Sequence, residues 1–201
     1  MLRQLSQSAG EPDWVLPWLR TTATAVAALA STTDEIAPVL ALKAHPDPQI
    51  RGLVAVSAAR HSGPDSLEAL QALVGDSVPW IRAAAGAALG GEAGIKAILS
   101  AGESLSIVSR ARALAAASPT TPVPQTLGWF ATADLAGRYA LSDLWIGWKW
   151  GKAVKELAPW LDKGDAPTRD VVYRTLKGVT GRDFGRGSAA GWLSWTPEAK
   201  P

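Results

Sequence analysis

A four-residue pattern recurs every 31 residues: Pro17-Trp18-Leu19-Arg20, Pro48-Gln49-Ile50-Arg51 and Pro79-Trp80-Ile81-Arg82. Each copy opens an Ala-rich apolar run, over residues 17–31, 48–60 and 79–90. Proline suits the first turn of a helix, because its missing N–H has no intrahelical partner there. Asp47, directly ahead of Pro48, supplies a side-chain acceptor for first-turn amides. Leu16 and Val78 cannot do so, and Asp76 and Ser77 stand where they could cap one or two residues early. The runs are long and lack period-two alternation, so they read as helices and not strands.

Shorter amphipathic segments lie between the runs. Glu35–Leu42 is one, and Leu67–Val74 is another, with Leu67, Leu70, Leu73 and Val74 on one face. Each unit is therefore a helix pair. One pair cannot bury its own apolar face, whereas stacked neighbours bury it continuously. A fourth, less regular unit is expected at about 93–99 and 105–117, with Arg112 falling 30 residues after Arg82. A last unit is expected at 153–161, followed by a helix opened by Asp165-Ala166-Pro167-Thr168-Arg169 and reaching about 179. The fold class expected is all-α, an α-solenoid of about five helix pairs.

Asp47-Pro48-Gln49-Ile50-Arg51 and Val78-Pro79-Trp80-Ile81-Arg82 resemble the second helix of the short bacterial HEAT-like repeats, which opens Asp-Pro-x-Val-Arg and continues in alanines. The resemblance covers about 14–118 and 153–195. It implies a ladder between neighbouring repeats, with Asp47, Arg20, Arg51 and Arg82 at its positions. Only the repeat at Asp47 keeps the acid in its usual place. The tail Thr180-Gly181-Arg182-Asp183-Phe184-Gly185, followed by Trp192 and Trp195, is similar to the closing segment of many such proteins. Gly181 suits the residue just past a helix end. Phe184, Trp192 and Trp195 are expected to fold back over the last helix pair as a structural cap, which a solenoid end requires.

Residues 119–152 interrupt the period, giving an expected division into repeats at 1–118, an insert at 119–152 and a last repeat with its cap at 153–201. The insert opens with the proline-rich Ser118-Pro119-Thr120-Thr121-Pro122-Val123-Pro124. Leu141, Leu144, Trp145 and Trp148 then recur at helical spacing. Trp150 falls off that face, beside Lys149. Trp at the centre of a surface patch is a common binding hot spot, so Trp148, Lys149 and Trp150 are candidate partner-binding residues. The competing reading packs Trp145 and Trp148 into the core. Arg20, Arg51, Arg82 and Arg112 are the second candidate set, a basic row of one residue per repeat, unless the inter-repeat ladder consumes them. Trp18 and Trp80 hold equivalent positions just after the proline; packing is the favoured reading, with a shared exposed ridge near the inter-repeat turn as the alternative.

Composition bears on function mainly by exclusion. Of the 201 residues, 19% are charged and the formal net charge is +2. A nucleic-acid binder generally carries a basic run or stripe, and none is evident. Cysteine is absent, which excludes disulfides and thiolate metal sites. His45 and His61 stand alone at helix ends and read as helix-terminal side chains rather than ligands. Gly185-Arg186-Gly187-Ser188 does not complete a phosphate-binding loop. No catalytic residue, cofactor or metal is expected. The start of the chain does not read as a signal peptide, and no apolar stretch is long enough to span a membrane, so a cytoplasmic location is expected. The resemblance implies a non-enzymatic scaffold that binds another protein, possessing an acidic segment or belonging to a larger assembly. Two alternatives stay open: a nucleic-acid-binding HEAT-like protein related to the alkylpurine DNA glycosylases, and a HEAT-like lyase related to those that attach bilin pigments.

Overall fold

The structure is a computed structural model and describes residues 33–196. Among these the regular structure is all helical, with no strand. It divides into two compact units between Leu105 and Ser106. The proline-rich stretch 118–124 thus lies inside the second unit. The run at 17–31, with Trp18 and Arg20, lies outside the described residues.

The first unit holds α1 (Thr33–Leu40), α2 (Pro48–Arg60), α3 (Pro64–Leu73), α4 (Pro79–Leu89) and α5 (Gly91–Ser100). Proline opens α2, α3 and α4 at the first turn. Asp47 caps α2 by accepting from the Gln49 amide at 2.9 Å. Val78 offers no side-chain cap to α4, and Asp76 binds the Val78 amide at 2.8 Å just ahead of the helix. The α2 and α4 starts lie side by side. Asp76, just ahead of α4, binds Arg51 in the first turn of α2. The Trp80 ring lies over Gly52, where an added Cβ would stand 1.9 Å from it. The two helix starts therefore pack against each other, and Ile50, Val54, Leu73 and Ile81 are buried in one core with α3.

The second unit holds α6 (Ile107–Ala117), α7 (Thr126–Trp129), α8 (Leu135–Trp148), α9 (Gly151–Leu157), α10 (Trp160–Lys163), α11 (Ala166–Thr180) and α12 (Ala190–Leu193). Its three long helices run parallel. A Cβ on Gly137 would stand 3.2 Å from that of Ile107 at the starts of α8 and α6, while the Trp148 indole donates to the Ser118 carbonyl at their ends. Arg138 donates to Thr168 at the starts of α8 and α11, and Thr175 Oγ1 donates to Ser142 Oγ at 2.7 Å further along. The segment expected as an insert thus supplies the middle helix of three. Its buried face is the one periodicity marks out: Leu141 and Trp145 are fully buried and Leu144 nearly so.

A common start unites the long helices. The side chains of Asp47, Ser106, Asp134 and Asp165 each accept from a first-turn amide. Four residues after each of these, and four after Val78, stands an arginine: Arg51, Arg82, Arg110, Arg138 and Arg169. The Cα–Cβ bond of a helical residue leans toward the N-terminus, so an arginine one turn inside reaches back over the entering loop. Loop carbonyls need donors. Arg51 Nη1 serves His45 and Pro46 at 2.8 and 3.0 Å. Arg82 Nη1 serves Asp76 and Ser77 at 2.7 and 3.0 Å, and Arg169 serves Gly164 at 3.1 Å. Arg138 reaches the Phe130 carbonyl instead, and Arg110 lies over the Trp129 ring at 4.3 Å. The position homologous to Arg82 in the next long helix is therefore Arg110, 8% exposed, and not Arg112.

The Arg51–Asp76 pair is the most enclosed of these contacts. Its side chains are 14% and 5% exposed, with Nε and Nη2 at 2.6 and 3.0 Å from the two carboxylate oxygens. The Arg51 hydrogen bond holds the Asp76 carboxyl below its ordinary pKa, aided by the Val78 amide. A depressed folded pKa stabilises the fold above the ordinary carboxylate range and loses that contribution as pH falls through the lowered value. Asp76→Asn is expected to cost about 2 kcal/mol at pH 7, and this gap should narrow on acidification below about pH 4. Urea unfolding of both proteins at pH 7 and pH 3 measures it. A gap that widens in acid would refute the assignment.

At the C-terminal end, α11 stops at Gly181, whose φ of 68° is the left-handed conformation glycine tolerates best. Trp192 is fully buried, donates to the Gly185 carbonyl at 2.9 Å, and meets Tyr173 and Phe184 edge-on. Tyr173, Lys177 and the Gly185 amide bind the Asp183 carboxylate and bring its pKa down to about 2. Of the three residues expected in the cap, Trp192 alone is enclosed. Phe184 is 45% exposed and Trp195 half-buried. A helix of only four residues, α12, covers one indole and leaves the flanking rings at the surface.

Candidate binding groove

The residues anticipated as partner-binding divide sharply by burial. Trp148 and Trp150 are 7% and 8% exposed. Their rings meet edge-on at 6.2 Å. Both belong to the core side of the α8 end, which corrects their assignment to an exposed patch. The cause is the backbone. α8 ends at Lys149 in a left-handed conformation, φ 49°, and the Trp150 amide returns to the Trp145 carbonyl. The turn folds Trp150 inward and leaves the Lys149 side chain in solvent.

Arg51 and Arg82 do not form a free basic row. Arg51 is committed to Asp76 and two loop carbonyls. Arg82 also binds the Ser100 carbonyl at 3.1 Å through Nη2. They act as structural ties, and Arg20 lies outside the described residues. Trp80 is 41% exposed, spread over Gly52. The histidines are likewise occupied: His45 Nδ1 accepts from the Asp47 amide at 3.0 Å, and His61 Nδ1 donates to the Ser57 carbonyl at 2.9 Å.

Arg112 stands apart from these. It is exposed, two residues past the arginine that binds inward, and it borders a groove of about 530 Å³ between α6 and α8. Ala111 and Ala115 form one wall, and Ala140, Leu144 and Gly147 the other. Tyr139, 40% exposed, and Asp143 form the far rim. Asp143 is paired with Arg174 of α11 at 2.6 Å, and the Arg174 guanidinium also lies 5.9 Å from the Tyr139 ring centre. The far rim's negative charge is thus compensated, while no described residue pairs with Arg112.

The groove comes from the second face of α8. Positions 136, 139, 140, 143 and 147 follow helical spacing opposite the buried stripe and carry small or polar side chains. That pattern is visible in the sequence. Its meaning depends on α6 lying alongside, which the sequence does not announce. A second hollow of about 500 Å³ lies in the first unit, lined by His61, Leu67, Leu70 and Leu89 among others. Its only ionisable side chain, His61, is turned to its own helix end.

Among the described residues no group of three or more His, Asp or Glu side chains could hold a metal ion. None of the described helices is long and apolar enough to cross a membrane. Comparison with family models, with curated proteins and with solved structures finds no match to this chain.

Proposed function

We propose that this chain is a non-enzymatic HEAT-like helical-repeat module that binds another protein through the exposed side of its second-unit helices. The observation that carries the reading is the open apolar groove between the parallel helices α6 and α8, bordered by Arg112, whose side chain has no partner among the described residues. Several features support it. α2, α6, α8 and α11 each start with a side-chain cap and an arginine four residues on, and α4 keeps the arginine without the cap, a recurrence expected of repeated units. Both histidines are tied through Nδ1 to backbone groups of their own turns. Concave apolar surfaces with a few placed polar groups are where proteins take up ligands and partners.

The test is affinity capture from native lysate with the full chain as bait, with and without nuclease, read by mass spectrometry. A protein partner retained after nuclease treatment is the expected result. Recovery of nucleic acid alone, or of proteins lost on nuclease treatment, would replace this reading with the nucleic-acid-binding one.

A further inference from the structure

We infer that the α6–α8 groove receives an amphipathic α-helix of a partner protein, with apolar residues on the groove floor and carboxylates facing Arg112. The inference deepens the interaction-module reading and rests on it.

Three observations specify the occupant. The first is backbone chemistry. Both walls are helices whose peptide groups are bonded internally, so no edge is available to pair with an extended segment. A guest lying there must satisfy its own peptide groups, and a helix does so. The second is shape. On α8 the lining runs from Ala136 to Trp148, roughly 18 Å of helix axis. That is about three turns, the length over which a guest helix presents residues i, i+3 or i+4, and i+7. Alanine and glycine walls let the guest's larger side chains reach the floor.

Charge is the third observation. The Arg112 side chain is exposed and carries no hydrogen bond or ion pair within the described residues. The only acidic side chain lining the groove, Asp143, is neutralised by Arg174. The surface facing a guest is therefore net positive, and an acidic flank complements it.

The experiment uses the full-length chain and two fluorescein-labelled helical peptides, read by fluorescence anisotropy. Both peptides carry leucines at i, i+3, i+4, i+7 and i+11; one has glutamates at the flanking positions and the other lysines. The glutamate peptide is expected to bind saturably and about three- to tenfold more tightly than the lysine peptide. Arg112→Glu should erase or invert that preference. Ala115→Trp, which fills the floor from an exposed position, should abolish binding with an unchanged melting curve. Equal binding of the two peptides, undiminished binding by A115W, or no saturable binding of either would overturn the inference. So would self-association of the wild-type chain that A115W removes, since the occupant would then be a second copy. A lysate partner captured equally by wild type and A115W would leave the interaction-module reading standing and remove the groove from it.

Discussion

Trp145→Ala is expected to destabilise the second unit by about 3–5 kcal/mol, a large share of the stability of a domain this size. The indole is fully buried, its N–H donates to Thr126 Oγ1 at 2.9 Å, and its ring meets Phe130 at 5.8 Å between centroids. Alanine would leave a cavity bounded by α7 and α8 and remove a donor from a fully buried hydroxyl. Trp145→Phe separates the two effects. It retains most of the apolar volume, and Thr126 Oγ1 keeps its own bond to the Val123 carbonyl at 2.7 Å. The phenylalanine variant should lose about 1–2 kcal/mol. Thermal melting followed by circular dichroism checks both. A loss below about 1 kcal/mol for Trp145→Ala would remove Trp145 from the core.

Trp145 also marks how far the sequence can be read. Leu141, Leu144, Trp145 and Trp148 predict a buried helical face, and the structure buries all four. The helix opened by Pro48 runs over 48–60 as its pattern indicates, and Gly181 terminates the last long helix. The all-helical class was legible for the same reason: long Ala-rich runs carry strong periodicity and clear start signals. The arginine register was missed because its period changes. Arg51 and Arg82 are 31 residues apart, but the next two steps are 28, to Arg110 and then Arg138, before 31 returns at Arg169. Counting forward by the earlier interval lands on Arg112. Ser106 and Asp134, the capping residues, give the register directly and bring the helix already expected within the insert into it. Hot-spot reasoning about Trp148 and Trp150 failed because it weighed residue type over the turn that folds Trp150 inward. The groove was the least legible feature. Its walls lie on two helices separated by a proline-rich loop, and alanine and glycine acquire meaning only through what stands opposite them.

Glycine to alanine is expected to change sign between two positions of this chain. At Gly94 in α5, an added Cβ would stand 2.3 Å from the Gly86 carbonyl oxygen and 3.2 Å from its carbon. At Gly86 in α4, a Cβ would meet the Gly94 oxygen at 2.6 Å. The two helices touch backbone to backbone, so no side chain can swing aside and the whole crossing must open. Opening it would disturb Ile98 and Ala97, both buried beside it. Alanine's better helix propensity returns at most about 1 kcal/mol, and the overpacking exceeds this. Gly94→Ala should therefore lose about 2 kcal/mol net. Gly147 also sits inside a helix, with nothing within 4 Å of an added Cβ. There only the propensity acts, and Gly147→Ala should gain about 0.5–1 kcal/mol. Urea unfolding of the two variants against the parent decides the matter. A Gly94→Ala protein as stable as the parent would mean that α4 and α5 do not cross at these glycines. The contact between the last two helices of the first unit would then need another origin.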